Sequence, residues 1–224
     1  MGVSDLLFWN LLLAHLLGDY PLQPMWLVRS KSHIWGLVLH ASIHLLTLLL
    51  MVGAFRSELW PQLLVLALFH FVVDVVKYRL TDARPEWVTS SYFIDQAVHL
   101  LSIIVVAAWI DSIVPEAGAA FNTALLITIS GYILVAHVWF VTEKTISHTE
   151  AGYNHAVQST LWPRMIARAT FLTVLLAVGT FGIGIAAALQ LPYYRDTYWR
   201  RALMTDLVVV VVTAITIGLA ISSI

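Results

Sequence analysis

Eight ionisable side chains in the first half of the chain recur at one spacing. His15 and Asp19, His40 and His44, His70 and Asp74, and Asp95 and His99 each stand four residues apart, which stacks both members on one face of an α-helix. All four pairs lie inside apolar runs, where an Asp at a helix centre costs about 2.5 to 3.5 kcal/mol on insertion scales. Buried carboxylates need partners, and the other seven groups are the nearest supply. Five imidazoles and three carboxylates, with no thiolate, suit a divalent Zn, Fe, Mn or Ni ion and disfavour Cu(I) or a cluster. A catalytic zinc takes about three protein ligands and keeps one position for water, whose pKa it lowers to near 7. Eight groups exceed one such sphere. The surplus is read as a second metal or an outer shell in which Asp fixes the tautomer of a ligating His.

These residues must be held by helices, and the composition says in what solvent. The 224 residues are 60% hydrophobic and 11% charged, with a mean hydropathy of +0.85. An ordinary soluble domain carries about 25% charged residues, so a water-soluble enzyme is excluded. Disorder is excluded too, since it needs low hydrophobicity. The absence of cysteine removes disulfides and thiolate sites, and a net charge of −1 lacks the basic footprint of a nucleic-acid partner. The partner is the lipid bilayer.

A transmembrane helix needs about 20 apolar residues. Candidate spans fall at 3–20, 34–54, 60–80, 92–112, 119–142, 168–190 and 203–223. The fold class is therefore all-α, a polytopic membrane bundle of about seven helices. Residues 1–224 read as a single transmembrane domain, in which 1–112 form a four-helix core and 113–224 add further spans. A polar cytoplasmic connector lies near 143–168, interrupted by Pro163. Arg29, Lys31, Arg79, Arg84, Lys144, Arg164 and Arg168 lie in alternate loops, against Arg56 on the other side. The positive-inside rule then puts the N-terminus outside a cell (inner) membrane. Arg195, Arg200 and Arg201 contradict a simple seven-span count. Gly179, Gly182 and Gly184 interrupt the sixth span, and a re-entrant pair of half-helices there would reverse the parity.

Depth completes the argument. The His/Asp pairs come late in the first span, early to middle in the second, middle to late in the third and early in the fourth. Antiparallel neighbours thus bring all eight to one depth, spread over no more than roughly 10–15 Å at about 1.5 Å per residue. The expectation is one polar centre in the cytoplasmic half of a four-helix bundle, the way bundles build metal sites. Its metal ligands are His15, Asp19, His40, His44, His70, Asp74, Asp95 and His99. Asp19, Asp74 and Asp95 are also candidate catalytic bases or orienting groups, and Lys77 neutralises carboxylates or holds an anionic head group. The run Pro21-Leu22-Gln23-Pro24-Met25-Trp26 stops the first helix and sets Gln23 and Trp26 at the entrance, with Lys31 and Gln96 as further entrance residues. It reads equally as a lid, a head-group contact or a tight turn with an aromatic anchor. His33 is a candidate from the membrane surface. His137 reads as structural, His148 and His155 as solvated, Asp206 as isolated near a span end, and Trp9, Trp60, Trp87, Trp109 and Trp199 as interfacial anchors.

At these residues the chain resembles a known family. His15-Leu16-Leu17-Gly18-Asp19-Tyr20-Pro21-Leu22-Gln23-Pro24 with Trp26 and Lys31, then Gly36-Leu37-Val38-Leu39-His40 with His44, His70-Phe71-Val72-Val73-Asp74 with Lys77, and Phe93-Ile94-Asp95-Gln96-Ala97-Val98-His99-Leu100 are similar to the bacterial membrane family called domain of unknown function 3307. The likeness covers roughly residues 10–105 and fades beyond 140. It implies the membrane fold and the choice of residues, and no reaction. By analogy the spacing is also similar to that of membrane metal-dependent hydrolases such as the alkaline ceramidase-like group.

Three functions fit these residues. The first is a metal-dependent intramembrane hydrolase acting on a lipid, an isoprenoid or another membrane-partitioned molecule, with zinc as the foremost ion. The second is a transporter or channel in which the same groups carry protons or metal ions. The third is a sensor or assembly subunit whose polar centre only specifies packing. A hydrolase needs the site open on one side; a transporter needs a polar path to both faces.

Overall fold

A computed structural model of the protein describes residues 3–52, 56–114, 122–184, 188 and 198–223. Every regular element among them is helical. They fall into two compact units, Met1–Leu126 and Ile127–Ile224. Six helical segments among the described residues are long and apolar enough to cross a membrane, and a further apolar helix, Leu6–Asp19, is shorter.

The first unit packs α1 (Val3–Asp19), α3 (Ile34–Met51), α4 (Trp60–Ala83) and α5 (Val88–Ile113) around the centre. Prolines mark its turns. Pro21 follows the end of α1, Pro24 precedes the short α2 (Met25–Ser30), Pro61 sits in the first turn of α4 and Pro85 opens the 3-10 turn before α5. Pro21 cannot continue the first helix, and the other three stand at helix starts, where the missing N–H would be unsatisfied anyway. The burial pattern is that of a protein dissolved in lipid. His40, His44, His70, Asp74, Asp95 and His99 are buried, while Leu68, Val72, Ile94 and Leu101 on the same helices are exposed. One end of the bundle is mainly apolar in its packed core, with Leu7, Leu11, Val52, Leu63, Ile103 and Ile110 in one buried cluster beside the buried Asn10. The eight ionisable residues occupy the other end.

The second unit is built on α6 (Thr123–Ile133), which starts in the first unit and continues through a π-helical turn, Leu134–Val138, into α7 (Trp139–Ile146). A short α8 (Ala151–Ser159) leads to α9 (Leu161–Val178), and the chain ends with α10 (Trp199–Ser222). The sixth span thus begins at Leu161 instead of 168, because Pro163 is in the first turn of a helix and does not interrupt a connector. Gly179 ends α9 with φ 67°, a left-handed conformation natural to glycine. Most of 185–197, including Arg195 and the far half of the suggested re-entrant pair, lies outside the described residues.

Contacts within the second unit set the direction of its last helix. Arg164 in the first turn of α9 bonds Asp206, early in α10, at 2.7 and 2.9 Å, so α9 and α10 run parallel. Arg201 also donates to Glu150, beside α8, at 2.6 Å, and that guanidinium holds the Glu150 carboxyl below its ordinary range. Arg201 therefore lies beside Glu150, at the end of the second unit where α9 begins. The chain has no cysteine, which gives a clean test. Glu150→Cys with Arg201→Cys should be bridged by a short bis-thiol reagent in intact membranes, and a double variant that stays unbridged would rule out the parallel arrangement.

Candidate metal centre

Each of α1, α3, α4 and α5 contributes two side chains, one turn apart, to a cluster in which imidazole Nε2 atoms converge on carboxylate oxygens. Asp19 Oδ1 lies 2.9 Å from His44 Nε2, 3.1 Å from His40 Nε2 and 3.7 Å from His70 Nε2. Its Oδ2 is 3.4 Å from His15 Nε2. Asp74 Oδ2 is 3.4 Å from His40 Nε2 and 3.8 Å from His70 Nε2, and its Oδ1 is 3.9 Å from His99. Asp95 Oδ1 lies 3.3 Å from His99 Nε2. The rings also pack on one another: His70 stacks between His44 and His99, at centroid distances of 3.7 and 4.1 Å. Two subsets have donor atoms close enough to hold a metal ion, namely Asp19, His40, His44 and His70, and His70, Asp74 and His99. All eight residues singled out in the sequence are in or beside these two subsets.

The close approach of α1 to α3 has a local cause. A Cβ on Gly18 would meet the His44 ring at 2.7–2.9 Å, so glycine is what lets that imidazole lie against the α1 backbone next to Asp19. Gly18→Ala should push His44 away and weaken metal binding about 10- to 100-fold, the scale on which orienting contacts act. Metal titration of the purified variant checks this, and wild-type affinity would mean that His44 is not a ligand.

The entrance side is polar. Lys31 donates to Asp74 Oδ2 at 3.0 Å and Lys77 to Asp95 Oδ2 at 2.6 Å, and these lysine side chains are 18% and 31% exposed. Gln23 Nε2 lies 3.0 Å from His40 Nδ1. Gln96 donates to Asp95 Oδ2 and accepts from the Tyr20 hydroxyl, which is 3.3 Å from that of Tyr92. Tyr20 and Tyr92 were not expected from the sequence; Tyr20 follows Asp19 directly, which was the available signal. Trp26 is exposed on α2 together with Met25. His33 precedes α3, is exposed and bonds Ser32. On the apolar side the His rings line a cavity of about 10 Å³, room for about one water.

A second polar cluster, in the other unit, escaped the sequence reading. Arg164, Arg168, Glu143 and Asp206 are all at most 4% exposed. Arg164 bridges Glu143 and Asp206, and Arg168 donates to Asp206 and to the carbonyls of Val135 and Ala136 in the π-helical turn. Arg164 and Arg168 are thus buried in α9 and are not cytoplasmic loop charges, and Asp206 is not isolated. Their signal was present: two Arg at helical spacing, and an intramembrane Asp that requires a cation.

The family described as protein of unknown function (DUF3307) matches residues 7–128. The chain belongs to that family. The family's span contains every residue of the His/Asp centre and stops before the Arg cluster. No curated protein and no solved structure matches the chain.

Proposed function

We propose that the chain is a metal-dependent hydrolase of a membrane-partitioned substrate, holding zinc in the His/Asp centre of the inner membrane. The observation that carries the metal is the crowd around one nitrogen. His40 Nε2 has one proton or one lone pair, yet Asp19 Oδ1, His70 Nε2 and Asp74 Oδ2 stand 3.1, 3.2 and 3.4 Å from it, with the Gln23 amide nitrogen at 3.3 Å. Hydrogen bonding satisfies one of these contacts. Ligands about 2.0–2.1 Å from a common ion lie roughly 2.9–3.4 Å from one another, and the crowded contacts have that length. Zinc is the first choice because the donors are imidazole and carboxylate in a compact four-atom set.

Hydrolysis is favoured over transport by the apolar end of the bundle. Donors between the centre and that end turn back on their own helices: Asn10 Nδ2 donates to the Leu6 carbonyl, Thr47 to that of His44 and Ser102 to that of His99, while the Asn10 and Gln62 amide oxygens are buried without a partner among the described residues. Gln62 stands near the start of α4. A polar path through the unit is not built from such groups. The open end carries Arg29, Lys31, Lys77, Arg79 and Arg84 against Arg56 at the other, which supports a cytoplasmic opening. An apolar groove of about 200 Å³ between α3 and α4, lined by Val38, Ala41, Leu45, Leu64, Leu68 and Phe71, suits the chain of a lipid-like substrate.

When bound, the ion supplies a water acidic enough to be hydroxide near neutral pH. The protein's own part is to fix Asp74 and Asp95 through Lys31, Lys77 and Gln96, so that their remaining oxygens face the imidazoles of the centre. The two ammonium groups face the entrance, where an anionic head group would arrive.

The decisive measurement is elemental analysis of detergent-purified protein beside His40→Ala and Asp74→Ala. The expected result is near-stoichiometric zinc in the wild type, lost in both variants, with lipid-ester hydrolysis in mixed micelles abolished by chelator and restored by zinc. A folded wild type free of metal overturns the reading. Metal without hydrolysis, but with proton or cation flux in liposomes, replaces the hydrolase by a transporter.

A further inference from the structure

We infer that the centre holds two divalent cations, the second seated among His99, Asp74 and Asp95. This rests on the metal reading above and deepens it. The two sets of convergent donors share His70. One imidazole nitrogen serves one ion, so if His70 joins Asp19, His40 and His44, the other set keeps only Asp74 and His99 and needs a third donor.

Asp95 provides it. Its Oδ1 lies 3.3 Å from His99 Nε2, and both side chains are 2% exposed. Neither atom has a hydrogen-bond partner among the described residues. An unsatisfied buried polar atom costs about 1–3 kcal/mol, and more when charged. Here two such atoms face each other as an ion pair at 3.3 Å that falls short of hydrogen-bond geometry. A cation between them satisfies both, and their separation matches an edge of about 3.3 Å in a tetrahedral zinc sphere. The other oxygen of Asp95 is already engaged by Lys77 and Gln96, so Oδ1 is the atom left to ligate.

Asp74 links the two seats. Its Oδ1 faces His99 at 3.9 Å, and its Oδ2, which also accepts from Lys31 at 3.0 Å, faces His40 at 3.4 Å, so one carboxylate touches both donor sets. Two dications against three carboxylates leave a charge of +1, which Lys31 and Lys77 increase. That surplus suits an anionic group of the substrate at the entrance. Paired ions about 3.5–4 Å apart stabilise both the attacking and the leaving oxygen of a displacement, which assigns the second seat a role in hydrolysis that one ion does not fill.

The test uses the full chain in detergent, stripped with chelator, reloaded with Mn²⁺ and desalted. Wild type should retain two Mn²⁺ per chain and show the exchange-coupled spectrum of a manganese pair. His99→Asn and Asp95→Asn should each retain one, with the six-line signal of an isolated ion. One ion per chain in the wild type overturns the two-ion inference and leaves the metal reading standing. No bound ion overturns both. If His99→Asn does not fold, the near-isosteric Asp95→Asn and the wild-type stoichiometry still decide.

Discussion

Asp19→Asn should empty the centre. The substitution preserves volume but removes the charge and one carboxylate oxygen from a group whose Oδ1 is 2.9 Å from His44, 3.1 Å from His40 and 3.7 Å from His70. Changes in residues that merely orient ligands cost about 10- to 100-fold in metal affinity. Asp19 supplies the oxygen shared by three imidazoles, so the expected loss is at least about 100-fold. Stability gives an independent readout, since a ligand that binds only the folded state at 100 times its Kd stabilises by about 2.7 kcal/mol. Added zinc should raise the thermal midpoint of the wild type and leave that of Asp19→Asn unmoved. A variant that keeps its metal, or is stabilised by zinc as strongly as wild type, would show that Asp19 is not a ligand.

The centre was legible because its ordering is local. A four-residue spacing puts His15 with Asp19, or Asp95 with His99, on one face of any helix they occupy. Alternation of depth between antiparallel helices then requires no knowledge of which helix touches which. The partners within the cluster were not legible. That Asp19 faces His40 and His44, or that Lys31 reaches Asp74 across 43 residues of sequence, depends on helix rotation and on the α2 turn. Gly18 shows the same limit: its role is set by the His44 ring, which belongs to another helix. The Arg cluster failed for a different reason. Loop arginines and buried arginines look alike in a positive-inside count, and Pro163 suggested a break where it starts a helix. Arg164 and Arg168 then looked like surplus cytoplasmic charge, and Asp206 lost the two cations that explain it.

That misreading bears on stability more than on chemistry. Asp206 accepts from Arg164 Nε and Nη2 at 2.9 and 2.7 Å, from Arg168 Nη1 at 3.1 Å and from Trp139 Nε1 at 3.2 Å, and it is 0% exposed. Asp206→Ala leaves two buried guanidinium groups against Glu143 alone, and breaking a buried pair from one side costs about 3–5 kcal/mol. At roughly 2–4 °C per kcal/mol for a chain of this size, the thermal midpoint in detergent should fall on the order of 10 °C. Arg168→Met alone should also destabilise, because the carbonyls of Val135 and Ala136 lose a donor. Combined with Asp206→Ala it should cost less than the sum of the two, since the second substitution removes a charge that the first left unpaired. Strict additivity, or an unshifted midpoint for Asp206→Ala, would mean that the four charges are not coupled. All proposed metal ligands lie in the first unit, so the folded fraction of Asp206→Ala should carry the wild-type metal content. This separates a cluster that holds helices together from one that holds ions.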